Sequence, residues 1–254
     1  MKVEIIRNYE LVKGIWQMDI TGNFPYDKVE PGQFIHIRVG EGYDHLLRRP
    51  ISIAEVDPEK SLLTVVYKIV GEGTKWLALQ RAGAALDILG PIGNGFITQK
   101  SRRSLVVGGG IGTPPLYELT KQLVGKSEQV DVFLGFRTSA DVFWLERFAS
   151  LADVRVFTED GQRGSRGFVT QGIISQLSED ENTWDNIYAC GPVAMLRAVK
   201  EIIQNMKIGG GASLEERMAC GVGACHGCTC KTAGQVSKRI CVDGPVIPWQ
   251  EVAL

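Results

Sequence analysis

The chain has 254 residues, 44% hydrophobic and 22% charged, with a formal net charge of −1, which is enough for two modest globular domains and a small module. So even a charge balance offers no basic field to hold nucleic acid or an anionic membrane surface. No apolar run approaches the ~18 residues of a membrane-spanning helix.

Residues 1 to 98 read as all-β. Short Val- and Ile-rich runs recur at Val3–Ile6, Ile15–Ile20, Gln33–Val39, Ile51–Val56, Leu62–Ile69 and Leu86–Leu89, divided by turn residues such as Gly22-Asn23, Asp57-Pro58 and Gly71-Glu72-Gly73. Strands so spaced predict a small barrel or sandwich. A short helix is expected at Thr74–Gln80, with Thr74 as its N-cap. From Ser104 strands alternate with helices: strand Ser104–Val107, helix Leu116–Val124, strand Val130–Phe136, helix Asp141–Ala149, strand Val154–Thr158, helix Val169–Gln176, strand Asn186–Ala189 and helix Pro192–Met206. That alternation predicts a parallel sheet covered on both faces. Lys207–Ala212, with three consecutive glycines, reads as a linker, and Ser213-Leu-Glu-Glu216 as a capping box that opens a short helix. The expected division is therefore a β domain over 1–98, an α/β domain over 99–210 and a small module over 211–254.

The module carries the most specific pattern. Cys220, Cys225 and Cys228 stand at C-x4-C-x2-C spacing, with Cys230 and Cys241 downstream, the ligand spacing of plant-type [2Fe-2S] centres. Gly221, Gly223 and Gly227 permit the tight curl that turns backbone N–H groups toward the sulfurs. Cys230 is so close to Cys228 that it would reach the same iron, whereas this spacing draws its fourth ligand from a separate segment. Cys241 is accordingly the expected ligand and Cys230 a buried bystander. A structural zinc site is the competing reading, but zinc sites pair two C-x-x-C halves and Cys225-x-x-Cys228 is one half. Five of the six cysteines fall between Cys220 and Cys241, which is clustering for a metal rather than a framework of disulfides. With an N-terminus that lacks a signal-peptide apolar core, a cytoplasmic location is expected. His36, His45 and His226 are read as non-ligands.

Further candidates lie at turns. Gly108, Gly110, Gly112 and Thr113 stand between a strand and a helix, where bare backbone lets a pyrophosphate approach the helix N-terminus. The motif is neither G-x-G-x-x-G nor a P-loop. Arg49 and Ser52, close together on one strand, are read as facing the same way, Arg49 toward a phosphate and Ser52 toward a ring nitrogen. Gly73 and Thr74 offer a second anion-holding turn. Cys190 and Gly191 end a strand at the carboxyl edge of the parallel sheet, where ligands bind in such folds. Glu159-Asp160 could face an adenine ribose and favour NAD; nearby Arg137, Arg163 and Arg166 leave NADP open.

Taken together, Arg49-Pro50-Ile51-Ser52, Gly73-Thr74, Gly108 through Pro115 and Cys190-Gly191-Pro192 resemble the ferredoxin–NADP reductase superfamily. The tail from Ser213 through Cys225 to Cys241-Val-Asp-Gly-Pro-Val resembles, within it, the electron-transfer subunits of type B dihydroorotate dehydrogenases. The likeness runs over essentially the whole chain. It implies an antiparallel FAD-binding barrel, a parallel-sheet NAD-binding domain and a [2Fe-2S] module. It implies ligation by Cys220, Cys225, Cys228 and Cys241, and FAD contacts at Arg49 to Ser52, at Val66, Tyr67 and Lys68, and at Gly73 and Thr74. Ile51 stands where most relatives carry an aromatic residue over the flavin, which makes Tyr67 a candidate cover or leaves the ring more open. A flavin joins one-electron to two-electron chemistry and so belongs between cluster and nicotinamide. The implied chain of carriers is FMN in a catalytic partner subunit, the cluster, FAD and NAD. The implied assembly is a heterotetramer of two relay and two catalytic subunits, serving pyrimidine synthesis. The cluster loop is candidate contact surface; Trp249 is a candidate either for that surface or for core packing. The competing assignments are a reductase serving a ferredoxin, oxygenase or sulfur-reducing partner, and a zinc-stabilised binding module.

Overall fold

The computed structural model describes residues 1–40, 45–180 and 183–254. Six strands form its first unit: β1 (Lys2–Val12), β2 (Ile15–Gly22), β3 (Phe34–Ile37), β4 (Arg49–Asp57), β5 (Leu62–Lys68) and β6 (Ala85–Ile92). They close antiparallel in the order β1-β2-β5-β4-β3-β6, so no edge is left open to pair with another chain. Alternation along each strand sends Ile5, Met18, Ile35, Ile53, Val65 and Tyr67 into one apolar core. One helix, α1 (Glu72–Leu79), adds Leu77 to it. It starts two residues earlier than expected, with Gly71 rather than Thr74 as N-cap. The Thr74 hydroxyl turns back instead, accepting the N–H of Val70 at 2.9 Å and of Gly71 at 3.3 Å.

The rest of the chain carries β7 (Ser101–Gly109), α2 (Pro115–Val124), β8 (Ser127–Phe136), α3 (Leu145–Ala149), β9 (Asp153–Thr158), β10 (Ser165–Arg166), α4 (Val169–Glu179), β11 (Asn186–Cys190), α5 (Val193–Ile203), β12 (Gly209–Ser213), β13 (Thr229–Lys231), β14 (Ser237–Arg239) and β15 (Val246–Pro248). Seven of these strands form one sheet in the order β10-β9-β8-β7-β11-β12-β15, parallel throughout except for β15 on β12. Alternate side chains feed two cores. Leu105, Phe133 and Ile187 pack with Ile173 of α4 and Leu196 of α5, while Val106, Val132 and Tyr188 pack with Leu116 and Leu119 of α2.

Three expectations need correction. Residues 207–212 are no linker, because Gly209–Ser213 is a sheet strand. A Cβ on Gly210 would stand 2.1 Å from the Ile187 carbonyl oxygen, and one on Gly211 2.4 Å from that of Ile247. Glycine serves here for close strand packing rather than for slack. Residues 214–220 form no helix; residue 214 ties back to the tail through its N–H to the Pro245 carbonyl at 2.9 Å. The helix expected over 141–149 is a single short turn of 3-10 helix, Ser139–Asp141, followed by α3.

Barrel and sheet are clamped together. The Arg147 guanidinium lies 4.2 Å from the Trp144 ring centroid and 4.4 Å from that of Tyr117 and pairs with Glu55 of β4. The Trp144 indole N–H donates to Gln17 Oε1 at 3.1 Å, and the Val56 N–H to Glu118 Oε2 at 3.2 Å.

Candidate functional site

Strand order places the site. From β7 the chain builds outward to β8 and β9, then returns to lay β11 on the other side of β7. The carboxyl ends of β7 and β11 therefore flank a switch point, where open α/β sheets bind ligands. Cys190 is in register with Gly108, so the two turns predicted to bind nucleotide meet. They meet closely enough that a Cβ on Gly112 would fall 2.5 Å from the Cys190 carbonyl oxygen and 2.6 Å from Gly191 Cα. Gly110 adopts φ +52° with open space where a side chain would be. The Thr113 hydroxyl is buried without a partner, the kind of polar atom that a bound group completes. Cys190 is itself buried, and burial together with the Glu215 charge pushes its thiol up to about 12. Its neighbour Gly191, rather than Cys190 itself, lines the cleft in front of the turns.

In front of these turns opens a cleft of about 1230 Å³, walled by Ile15 and Lys68 of the barrel, Gly110 and Gly191 of the sheet, and Cys230 and Lys231 of the module. A second cavity of about 490 Å³ continues from it, sharing Gly110 and Phe136, toward Glu159 and Phe168. Their joint extent suits a dinucleotide better than the ~300–1,000 Å³ of drug-sized ligands. Of the acidic pair, Asp160 braces a turn, accepting the Ser139 and Gln162 N–H groups at 3.0 and 3.1 Å, and those donors hold its carboxyl below the usual range. Glu159 is the one that lines the cavity.

On the barrel, Arg49 and Ser52 do not share a face. They are three residues apart, and pairing puts Arg49 across from Ile37 and Ser52 across from Phe34; Ile37 belongs to the barrel core and Phe34 to the sheet's. Arg49 reaches instead to α1, with its Nε 2.5 Å from where a Gly73 Cβ would be. Guanidinium and helix N-terminus thus meet at one corner, a pairing that suits an anion; the Thr74 hydroxyl is engaged with Val70 and Gly71, which leaves its backbone for that corner. Pro50 and Ile51 are half-buried on the same strand. Along β5, Val66 faces the sheet side and joins its core, and Lys68 borders the cleft. Tyr67 cannot cover a flavin. It is 1% exposed inside the barrel and its hydroxyl donates to Asn8 Oδ1 at 2.9 Å.

In the module, Gly221 and Gly223 take φ +70° and +80° and curl the loop so that its N–H groups face sulfur. Val222 and Cys225 donate to Cys220 Sγ, each at 3.4 Å, Gly227 to Cys225 Sγ at 3.4 Å, Cys241 to Cys228 Sγ at 3.4 Å, and Gly223 to Cys241 Sγ at 3.2 Å. Those donors bring the Cys220 thiol down to about 6. The four thiols fall into two pairs, Cys220 with Cys225 and Cys228 with Cys241, each within mutual hydrogen-bond reach. Among the described residues no three candidate ligands converge on one point. Two thiols for each iron is the ligand set that a binuclear iron–sulfur cluster takes. Cys230 is half-exposed on β13 and borders the cleft rather than being buried. Trp249 is core, 2% exposed, with its indole N–H on the Ile187 carbonyl at 2.7 Å.

Sequence reasoning missed the clamp at Arg147 and the cavity-lining Phe168. The first pairs residues distant in sequence and carries no local signal. The second is an apolar side chain left 58% exposed, which only the fold reveals.

Residues 215–253 match the family model of the iron–sulfur cluster binding domain of dihydroorotate dehydrogenase B, and residues 106–201 that of an oxidoreductase NAD-binding domain. The chain is 45% identical over 257 aligned positions to a Bacillus cereus protein named dihydroorotate dehydrogenase B (NAD(+)), electron transfer subunit, covering 98% of this chain and 97% of that one. A Bacillus anthracis protein of the same name matches with the same figures. Among solved structures, that of an NADH-dependent reduced ferredoxin-NADP oxidoreductase, studied for flavin-based electron bifurcation, superposes with a TM-score of 0.86 at 28% identity, over 98% of this chain and 89% of the other. Phthalate dioxygenase reductase shares the fold, with a TM-score of 0.66 at 19% identity over 81% of this chain and 64% of the other.

Proposed function

The chain belongs to the family of dihydroorotate dehydrogenase B electron transfer subunits, and from that premise we propose that it relays electrons from dihydroorotate oxidation in a partner subunit to NAD. It is an oxidoreductase subunit whose cofactors are FAD, a [2Fe-2S] centre and NAD. When bound, the flavin exchanges hydride with nicotinamide and single electrons with the cluster, a conversion no side chain can perform.

The chain's own residues bind and orient these groups. Arg49 and the α1 N-terminus at Gly73 and Thr74 hold the flavin's pyrophosphate, and Ser52, Val66 and Lys68 border the flavin from the barrel side. Gly108 through Thr113 and Cys190-Gly191 shape the nicotinamide end of the nucleotide site, with Glu159 at its ribose end selecting NAD over NADP. Cys220, Cys225, Cys228 and Cys241 hold the irons. The proposed functional division remains 1–98, 99–210 and 211–254, with β12 straddling the last boundary. Two such chains join two FMN-bearing catalytic subunits in a cytoplasmic heterotetramer, with the half-exposed Cys220 and exposed Cys225 end of the loop toward the partner.

The observation that carries this reading is the pairing of four N–H-supported thiols beside a cleft shared by barrel, sheet and module. The experiment is a visible spectrum with iron and flavin quantitation, then NADH oxidation with ferricyanide. The chain alone is expected to be coloured, to contain both groups and to reduce ferricyanide, while dihydroorotate is oxidised only after the catalytic subunit is added. A colourless protein, or unaided dihydroorotate oxidation, refutes it. Likeness to the ferredoxin-NADP oxidoreductase structure keeps a ferredoxin-serving reductase as the second reading. Faster NADH-dependent reduction of a ferredoxin than of the catalytic subunit would favour that one.

A further inference from the structure

His36 is fully buried, and neither of its ring nitrogens has a hydrogen-bond partner. An imidazole stripped of water with both nitrogens idle is costly and therefore rare. Burial holds its pKa below the ordinary 6.5, opposed by the nearby Arg48 backbone and joined by the Arg48 and Arg49 charges; in either protonation state the ring carries an N–H to donate.

Its surroundings give it a target. On β3 the side chains of Ile35 and Ile37 enter the barrel core, while Phe34, two residues before His36, belongs to the other core, the one that includes Cys228 and Cys241. Alternation therefore sends His36 out toward the cysteine loop. Across the sheet it is paired with Pro50 of the Arg49–Ser52 segment. On its other side is Gly221, where a Cβ would stand 2.4 Å from His36 Nδ1. The ring edge thus lies against the backbone that follows Cys220, between the strand assigned to FAD and the loop assigned to the cluster.

We propose that His36 is a positioning residue for the iron–sulfur centre, donating its ring N–H to a sulfur at the Cys220 end of the loop and so raising the centre's reduction potential. The inference rests on the electron-transfer reading above. A donor to a cluster sulfur favours the form carrying the extra negative charge. No bond is made or broken; the donor biases how one electron is shared between cluster and flavin.

The test uses the full chain loaded with FAD and iron. Protein labelled with [15N]histidine is reduced, and electron–nuclear hyperfine spectra are compared between the native chain, His36→Leu and His36→Gln. A weak 15N coupling is expected in the native chain and lost in both variants; comparison by difference sets aside His226, which also lies in the loop. In EPR-monitored titration His36→Leu is expected to lower the cluster potential by about 59 mV, a tenfold shift in the one-electron equilibrium. His36→Gln, which keeps an N–H, should recover most of it. The flavin potential should stay put. Identical difference spectra, an unchanged cluster potential in an iron-replete variant, or a shift confined to the flavin overturns the inference alone. Native protein that contains no cluster overturns it together with the reading beneath it. Should the leucine variant fail to take up iron, the glutamine variant and the native spectrum still decide.

Discussion

Gly112→Ala tests the site geometry with one methyl group. The new Cβ would lie 2.5 Å from the Cys190 carbonyl oxygen and 2.6 Å from both the Cys190 carbonyl carbon and Gly191 Cα, where ordinary contact begins at 3.4 Å. All three obstacles are backbone, so no rotamer relieves them, and one of the two turns must move by close to 1 Å. Forcing atoms into a filled site costs about 1–3 kcal/mol of stability. On the proposal that these turns orient the reacting ring, a displacement of about 1 Å is worth on the order of a hundredfold in rate. NADH:ferricyanide turnover should fall by about that factor while flavin and iron contents remain normal. Gly83→Ala is the control. Nothing lies within 4 Å of its Cβ, but its φ of +85° imposes left-handed strain of about 1–2 kcal/mol. Both variants should melt earlier, but only Gly112→Ala should lose turnover. Native-like turnover in Gly112→Ala would refute the claim that these two turns shape the nicotinamide site.

Three other outcomes follow from the same structure. Cys241→Ser should be isolated without its cluster and Cys230→Ser with full iron, because the loop N–H groups serve the Cys241 sulfur while Cys230 borders the cleft; iron analysis of the two decides. Glu159→Ser should weaken NADH binding roughly tenfold to a hundredfold, the equivalent of a ~1.5–3 kcal/mol charge-assisted hydrogen bond, and leave NADPH binding unharmed, as measured by equilibrium titration of each nucleotide. Cys190 has its pKa raised from an ordinary 9.0 to about 12, chiefly by burial. Its contribution to stability is therefore level below pH 9 and is lost as pH climbs from 9 toward 12, because the unfolded chain releases that proton first. Peptide mapping after iodoacetamide treatment at pH 8 should find Cys230 labelled and Cys190 untouched.

Much of the fold is legible in the sequence. Local signals sufficed for what is local: the cysteine spacing of the iron–sulfur domain, the placing of a glycine turn between β7 and α2, and the switch from two-residue to helical periodicity. They failed where a residue's meaning is set by what crosses it. The run Gly209-Gly-Gly211 looks like slack and is a strand pressed between two others. Thr74 looks like a cap and is a brace inside the helix's first turn. Tyr67 looks available to a ring, yet strand alternation turns it inward. In each case the composition of the stretch was read correctly and its neighbours were missing.

The mistaken linker alters the mechanism. A flexible tether would let the iron–sulfur module wander and would make its distance to the nicotinamide turns variable. Instead β12 lies directly beside β11, and β15, at the end of the module, lies beside β12. The Ser213 end of β12 is in register with Cys190, so the module starts from the same sheet edge that holds the nucleotide turns. The barrel is fixed to that sheet by Arg147 and Trp144, and His36 of the barrel touches the cluster loop. The three proposed cofactor sites are thereby referred to a single frame, and on that proposal the spacing between carriers is a property of the fold rather than of a docking event within the chain. Cutting the clamp with Arg147→Ala should therefore slow electron passage between flavin and cluster while leaving each group bound, a loss visible in rapid-mixing absorbance. Unaltered passage in a variant shown to have lost the clamp would mean that the cluster loop alone holds the frame.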